Sequence, residues 1–101
     1  MDHTNNSEIS EECRIHSRTF TIKNELGVHV RPATKLVKTA NRFDSNISIK
    51  KDDLEIDAKS IMGILMLAAS QGTRILVTAE GSDSKEALDE MGRLIEDGFG
   101  E

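Results

Sequence analysis

The sequence predicts an α+β domain: a two-layer sandwich in the order β-α-β-β-α-β-α, with three helices on one face of a four-stranded, mainly antiparallel sheet. Two observations carry this. Short apolar segments around residues 19–23, 47–49, 54–56 and 74–78 have the alternation or β-branched density of strands. Three longer segments repeat apolar residues at helical spacing, with one stripe each. A one-faced sheet and one-striped helices bury both surfaces by packing as two layers.

The first strand, residues 19–23, turns Phe20 and Ile22 inward, and residues 24–28 form a loop leading to His29. A helix starts there because Pro32, with fixed φ and no N–H, fits only a first turn. Ala33, Leu36, Val37, Ala40 and Phe43 then recur at helical spacing, and the helix runs to about Arg42. Ile47 and Ile49 mark the second strand and Leu54 and Ile56 the third, joined by a polar turn at residues 51–53. Ser60 opens the second helix, which has Ile61, Ile64, Leu65 and Ala68 on one face and ends at Gly72. Residues 74–78 form the fourth strand, flanked by Gly81. The third helix carries Ala87, Leu88, Met91, Leu94 and Ile95, stops at Gly98, and has the capping-box spacing Asp83 to Glu86 at its start. Strand order is left open.

At 101 residues the chain holds one domain with one modest core. Its aromatic residues are three Phe, so that core is mostly aliphatic. A net charge of −5 argues against general nucleic-acid binding, which needs a basic face. The sequence shows no membrane-length apolar run and no signal peptide, so a cytoplasmic protein without membrane insertion is expected. Residues 1–17 are polar without a sustained period and read as a flexible N-terminal extension; residues 18–101 form the domain. His3, His16 and the single Cys13 fit no common metal-site spacing, so they read as solvated tail, and neither a metal nor a cofactor is expected.

The chemistry concentrates at Gly27-Val28-His29-Val30-Arg31-Pro32-Ala33. His29 falls at the N-cap of the first helix, beside the free amides of Val30 and Arg31. Unpaired N–H groups and the helix dipole make that end an anion site. Arg31 adds a guanidinium fork that matches phosphate oxygens. As a solvated residue, its charge would oppose the dipole; a visiting anion removes the conflict. Pro32 sets the first turn and Gly27 permits the loop geometry. A nucleophilic imidazole beside an anion site suggests a residue that takes up a phosphoryl group and passes it on. Such a step needs a neutral ring, and a helix N-terminus disfavours the cation.

These residues, with Thr34-Lys35-Leu36-Val37 after them, closely resemble the active-site segment of the HPr family, the histidine phosphocarriers of the bacterial phosphotransferase system. Lys59-Ser60-Ile61-Met62-Gly63 resembles the family's regulatory serine site. Gln71-Gly72-Thr73, running to Ala79-Glu80-Gly81, resembles its last strand with flanking turns. The likeness spans about Arg18 to Glu101. It implies the open-faced sandwich and a monomeric carrier, not a stand-alone enzyme. His29 is then phosphorylated on Nδ1 by Enzyme I, which draws on phosphoenolpyruvate, and donates to a IIA protein or domain. The family more often has Ala or Thr where this chain has Val30, a position that supplies mainly an amide. Residues 64–72 and 96–101 look more like the nitrogen-type branch, whereas Pro32-Ala33-Thr34 looks like the sugar-transport carriers.

Ser60 is a natural helix cap, and its surroundings also resemble the target of HPr kinase/phosphorylase. A phosphate there would add about two negative charges at a helix start without unfolding it. The starts of the first and second helices are expected to share one edge of the sandwich. Ile61, Met62 and Leu65 belong to a helix with more apolar surface than one inward stripe needs, and are candidate docking residues. A mainly regulatory protein read through Ser60 is the alternative function. An RNA-binding module fits poorly, because Phe20 is the only aromatic on a strand.

Overall fold

The alternating segments become strands β1 (Ile15–Thr21), β2 (Asn46–Lys51), β3 (Leu54–Asp57) and β4 (Arg74–Glu80) in a computed structural model that describes residues 14–101. The stripes become helices α1 (Val30–Ala40), α2 (Ile61–Leu67) and α3 (Ser84–Glu96). One antiparallel sheet results, ordered β1-β4-β2-β3. Its inward residues, including Ile47, Ile49, Ile75, Val77 and Ala79, meet Leu36 of α1, Ile64 of α2 and Met91 and Ile95 of α3 in one buried core. Close approach is part of the packing: a Cβ on Gly92 of α3 would lie 2.6 Å from Cζ of the buried Phe20 ring.

Three features differ from the sequence reading. First, β1 starts at Ile15, three residues before the expected domain boundary, with Ile15, His16 and Ser17 paired to Glu80, Ala79 and Thr78. His16 is therefore not solvated tail: its Nδ1 lies 2.9 Å from Oγ of the buried Ser84. A ladder to a strand over 60 residues away leaves no local trace in a polar segment. The remainder of the expected extension, including His3 and Cys13, lies outside the described residues.

Second, α2 ends at Ala68, which takes a left-handed φ of 50°, four residues before Gly72. Lys51 Nζ donates to the Leu67 and Ala68 carbonyls at 2.9 and 3.4 Å, so a side chain from β2 satisfies groups the helix leaves open. Ala68 is thus an exposed terminator, not a member of the inward stripe.

Third, the capping box at α3 does not form. Asp83 makes no side-chain cap bond. Its carboxylate instead accepts from the Asp44 and Ser45 amides at 2.9 and 3.0 Å and from the Ser45 hydroxyl. A strong long-range set of three donors outcompetes the local cap.

That clamp carries a pH dependence. The Ser45 hydroxyl and the Asp44 amide hold the Asp83 carboxyl below the usual carboxylate range, outweighing the opposing effect of partial burial. A depressed folded value stabilises the fold above the unfolded one, about pH 4, and the contribution fades as pH falls through the folded value. Thermal melts of Asp83→Ala are expected to show a lower Tm than wild type at pH 7, with the gap closing in acid.

Candidate functional site

The loop before α1 is held at several points. Asn24 is buried and donates through Nδ2 to the Gly27 carbonyl at 2.6 Å, while the Gly27 amide returns to the Asn24 carbonyl at 3.1 Å. Val28, also buried, donates its amide to the Ala69 carbonyl at 2.8 Å, tying the loop to the segment after α2. Gly27 sits at φ +70°, and a Cβ there would lie 2.6 Å from the Ala69 carbonyl oxygen. Only glycine meets both conditions.

His29 follows as the N-cap, in extended backbone (φ −88°, ψ −163°). Its carbonyl accepts the first helical bond, from Ala33 at 2.9 Å, but its side chain makes no cap bond. The imidazole is thereby free to face outward, half-buried. The Val30 and Arg31 amides have no acceptor among the described residues, and α1 has no acidic residue in its first turn. Pro32 is buried in that turn, whereas the Val30 and Arg31 side chains are exposed. The structure thus brings Gly27, His29, Val30, Arg31 and Pro32 together as the sequence predicts.

Glu101 is a neighbour of His29 that the sequence reading misses. Its two carboxylate oxygens lie 3.3 and 3.2 Å from His29 Nε2. Asn24 Nδ2 reaches Oε1 at 3.1 Å. This residue directly follows a 3₁₀ turn, Gly98–Gly100, in which Phe99 is buried and Lys35 Nζ of α1 donates to the Phe99 carbonyl at 2.5 Å. Partial desolvation pushes the Glu101 carboxyl up, but hydrogen bonds from Asn24 and His29, with the charges of His29 and Arg31, outweigh it and lower it overall. Glycines at 98 and 100 mark a turn, yet a contact 72 residues away in sequence has no local signature. Among the described residues Nδ1 of His29 makes no hydrogen bond.

Ser60 caps α2 as expected, accepting from the Gly63 amide at 3.1 Å. It does not share an edge with His29. The start of α1 abuts the far end of α2, through Val28 and Ala69, while Lys59 beside Ser60 donates through Nζ to the Phe43 carbonyl just past the end of α1. The two helices run in opposite directions, and seven residues of α2, about 10 Å along its axis, stand between the two positions. On α2, Ile61 and Met62 are exposed, but Leu65 packs half-buried against the core; Met66 is the exposed residue there, joined by Leu26 and Val30 near His29.

Over residues 16–97 the chain matches the family described as "PTS HPr component phosphorylation site". The phosphocarrier protein HPr of Xylella fastidiosa (strain Temecula1) is 44% identical over 82 residues, 81% of this chain and 92% of that protein. The phosphocarrier protein NPr of Proteus mirabilis is 42% identical over 85 residues, covering 83% and 94%. The crystal structure of HPr-C-His from Thermoanaerobacter tengcongensis superposes with a TM-score of 0.83 at 46% identity, covering 85% of this chain and 97% of that one.

Replacing Gly27 with Ala is expected to lower stability by about 2–4 kcal/mol, from the left-handed backbone and the collision with Ala69. Denaturant melts measure the loss; a change within 0.5 kcal/mol, the usual range for surface sites, would show that the loop relaxes freely.

Proposed function

Because the chain belongs to the HPr family of phosphotransferase-system phosphocarriers, we propose that His29 carries the phosphoryl group on Nδ1. It is a carrier, not a stand-alone enzyme. The observation that supports His29 above all is the placement of its ring at the amide-bearing end of α1, with Nε2 engaged by Glu101 and Nδ1 unpartnered among the described residues. In the forward step Nδ1 donates its lone pair to phosphorus as the donor's bond to phosphorus breaks. Charge on the phosphoryl oxygens meets the Val30 and Arg31 amides, already oriented, and the Arg31 guanidinium. Enzyme I, charged from phosphoenolpyruvate, is the donor and a IIA protein or domain the acceptor, all in the cytoplasm. Ile61, Met62 and the neighbouring exposed Met66, Leu26 and Val30 form the docking surface, with Leu65 supporting it from below.

Ser60 is the regulatory position, modified by HPr kinase/phosphorylase. A phosphate on its hydroxyl places the new charge at least the length of α2, about 10 Å, from the segment that abuts the start of α1. That separation is comparable to the Debye length at physiological ionic strength, so part of its influence is open to screening.

Incubation with phosphoenolpyruvate and an Enzyme I, followed by intact mass measurement in alkali, tests the carrier. Wild type gains one acid-labile, base-stable phosphate; His29→Ala gains none and keeps its fold, and His16→Ala still gains it. Acid-labile phosphate on His29→Ala would remove His29 from the role. Arg31→Glu is expected to slow phosphoryl exchange severely while changing stability by about 0.5 kcal/mol or less, since Arg31 is exposed. Equal exchange rates would exclude Arg31 from the mechanism.

Ser60→Asp is expected to slow His29 phosphorylation by Enzyme I, with partial recovery in high salt. Loss that persists in salt points to blocked apolar contacts around Ile61 and Met62. A variant as fast as wild type at low salt reduces Ser60 to its helix cap.

A further inference from the structure

Four anchors converge on Glu101: Lys35 Nζ on the Phe99 carbonyl, the buried Phe99 ring, Asn24 Nδ2 on Oε1, and His29 Nε2 itself. Asn24 spends both Nδ2 protons on the Gly27 carbonyl and Glu101, and its Oδ1 is left buried without a partner. Turning the amide over would set Oδ1 against two acceptors, so its orientation is determined. An exposed carboxylate needs none of this support. The arrangement is built to keep one carboxylate on one particular nitrogen of one imidazole.

We propose that Glu101 is a positioning residue that holds the proton on His29 Nε2 through phosphoryl transfer in both directions, so that Nδ1 is always the reacting nitrogen and the ring always leaves as neutral imidazole. The inference rests on the reading of His29 as the phosphoryl carrier. An Nε2–H donated to Glu101 leaves the lone pair on Nδ1. When Nδ1 bonds to phosphorus, the donor leaves with the electron pair of its broken bond, and the ring, still protonated at Nε2, becomes cationic. Glu101 faces that charge, as a carboxylate supports an imidazolium in a catalytic triad. In onward transfer the N–P electron pair returns to Nδ1 and gives neutral imidazole. A ring that had lost its Nε2 proton would have to leave as imidazolate, a far poorer leaving group.

The charged neighbours agree with this division. Arg31 on α1 acts on Glu101 through its charge, and Lys35 holds the turn that carries it. Lys23 and Glu25 of the preceding loop line the same cleft as Asn24 and Glu101. Because the carboxylate engages Nε2, it does not occupy the place of a phosphoryl group on Nδ1.

Glu101→Gln keeps the shape and an acceptor but removes the charge, and Lys35→Met loosens the turn while leaving the carboxylate intact. Ring ¹⁵N NMR of His29 at fixed pH reads the proton directly, without any phosphoryl donor. The ring signals are expected to move from the Nε2–H pattern toward a mixture of tautomers in Glu101→Gln, and to a smaller degree in Lys35→Met. Onward transfer from phosphorylated Glu101→Gln is expected to slow about tenfold, the scale separating a charge-assisted hydrogen bond from a neutral one. Identical ring signals in wild type and Glu101→Gln overturn the proposal, as does unchanged transfer. If wild type itself takes no phosphate on His29, the carrier reading fails, while the ring signals still decide whether Glu101 sets the tautomer.

Discussion

The site depends on a single junction, where the loop before α1 is pinned against the segment after α2. The bond from the Val28 amide to the Ala69 carbonyl, with Gly27 pressed against that same backbone at φ +70°, fixes where α1 begins and therefore where its unpaired amides point. Everything chemical about His29 follows from that placement. The residue is an N-cap without a capping side-chain bond, so its ring is available for other partners. The junction also accounts for the early end of α2: a left-handed Ala68, with Lys51 covering the last carbonyls, turns the chain so that the Ala69 carbonyl accepts from Val28.

Most of the fold was legible because its signals are local. Apolar stripes at helical period, alternating strands and Pro32 in a first turn each depend on residues within a few positions of one another. All three helices and four strands occur in the expected order, although β1 begins earlier and α2 ends sooner than those patterns place them. What escaped was long-range. His16 reads as tail until β4 arrives to pair with it. Asp83 has the spacing of a capping box, but the Asp44 and Ser45 donors, 39 and 38 residues away in sequence, outcompete the cap. Glu101 shows the same limit at the candidate site, since its contact with His29 exists only once Phe99 is buried and Lys35 has captured the turn.

The direction of α1 relative to α2 bears on the role proposed for Ser60. Two helix starts side by side would put two anion sites in direct competition. In the observed antiparallel pair, the amide-bearing end of α1 meets the carbonyl end of α2, so the two termini have opposite polarity where they approach. The neighbouring dipole end then slightly favours positive charge near Arg31, easing the conflict between that guanidinium and its own helix. A charge on Ser60 acts on this region only through the length of α2 or through a partner that spans both.

A carrier must release what it binds, and the exposed surface of this site fits that demand. A cage of buried cations would hold the phosphoryl group tightly and make onward transfer slow, because binding the ground state as well as the transition state gives no acceleration. In the proposed site the anion-binding groups are two backbone amides and one exposed arginine, and the carboxylate of Glu101 lies against the other ring nitrogen. The amides cost no reorganisation, and the flexible arginine can be reinforced or replaced by a partner's own groups. Half of the site is therefore left for each partner to complete. The proposed docking role of the exposed apolar residues Leu26, Val30, Met62 and Met66 follows the same logic: water is excluded from a reacting phosphoryl group only when a second surface closes over it.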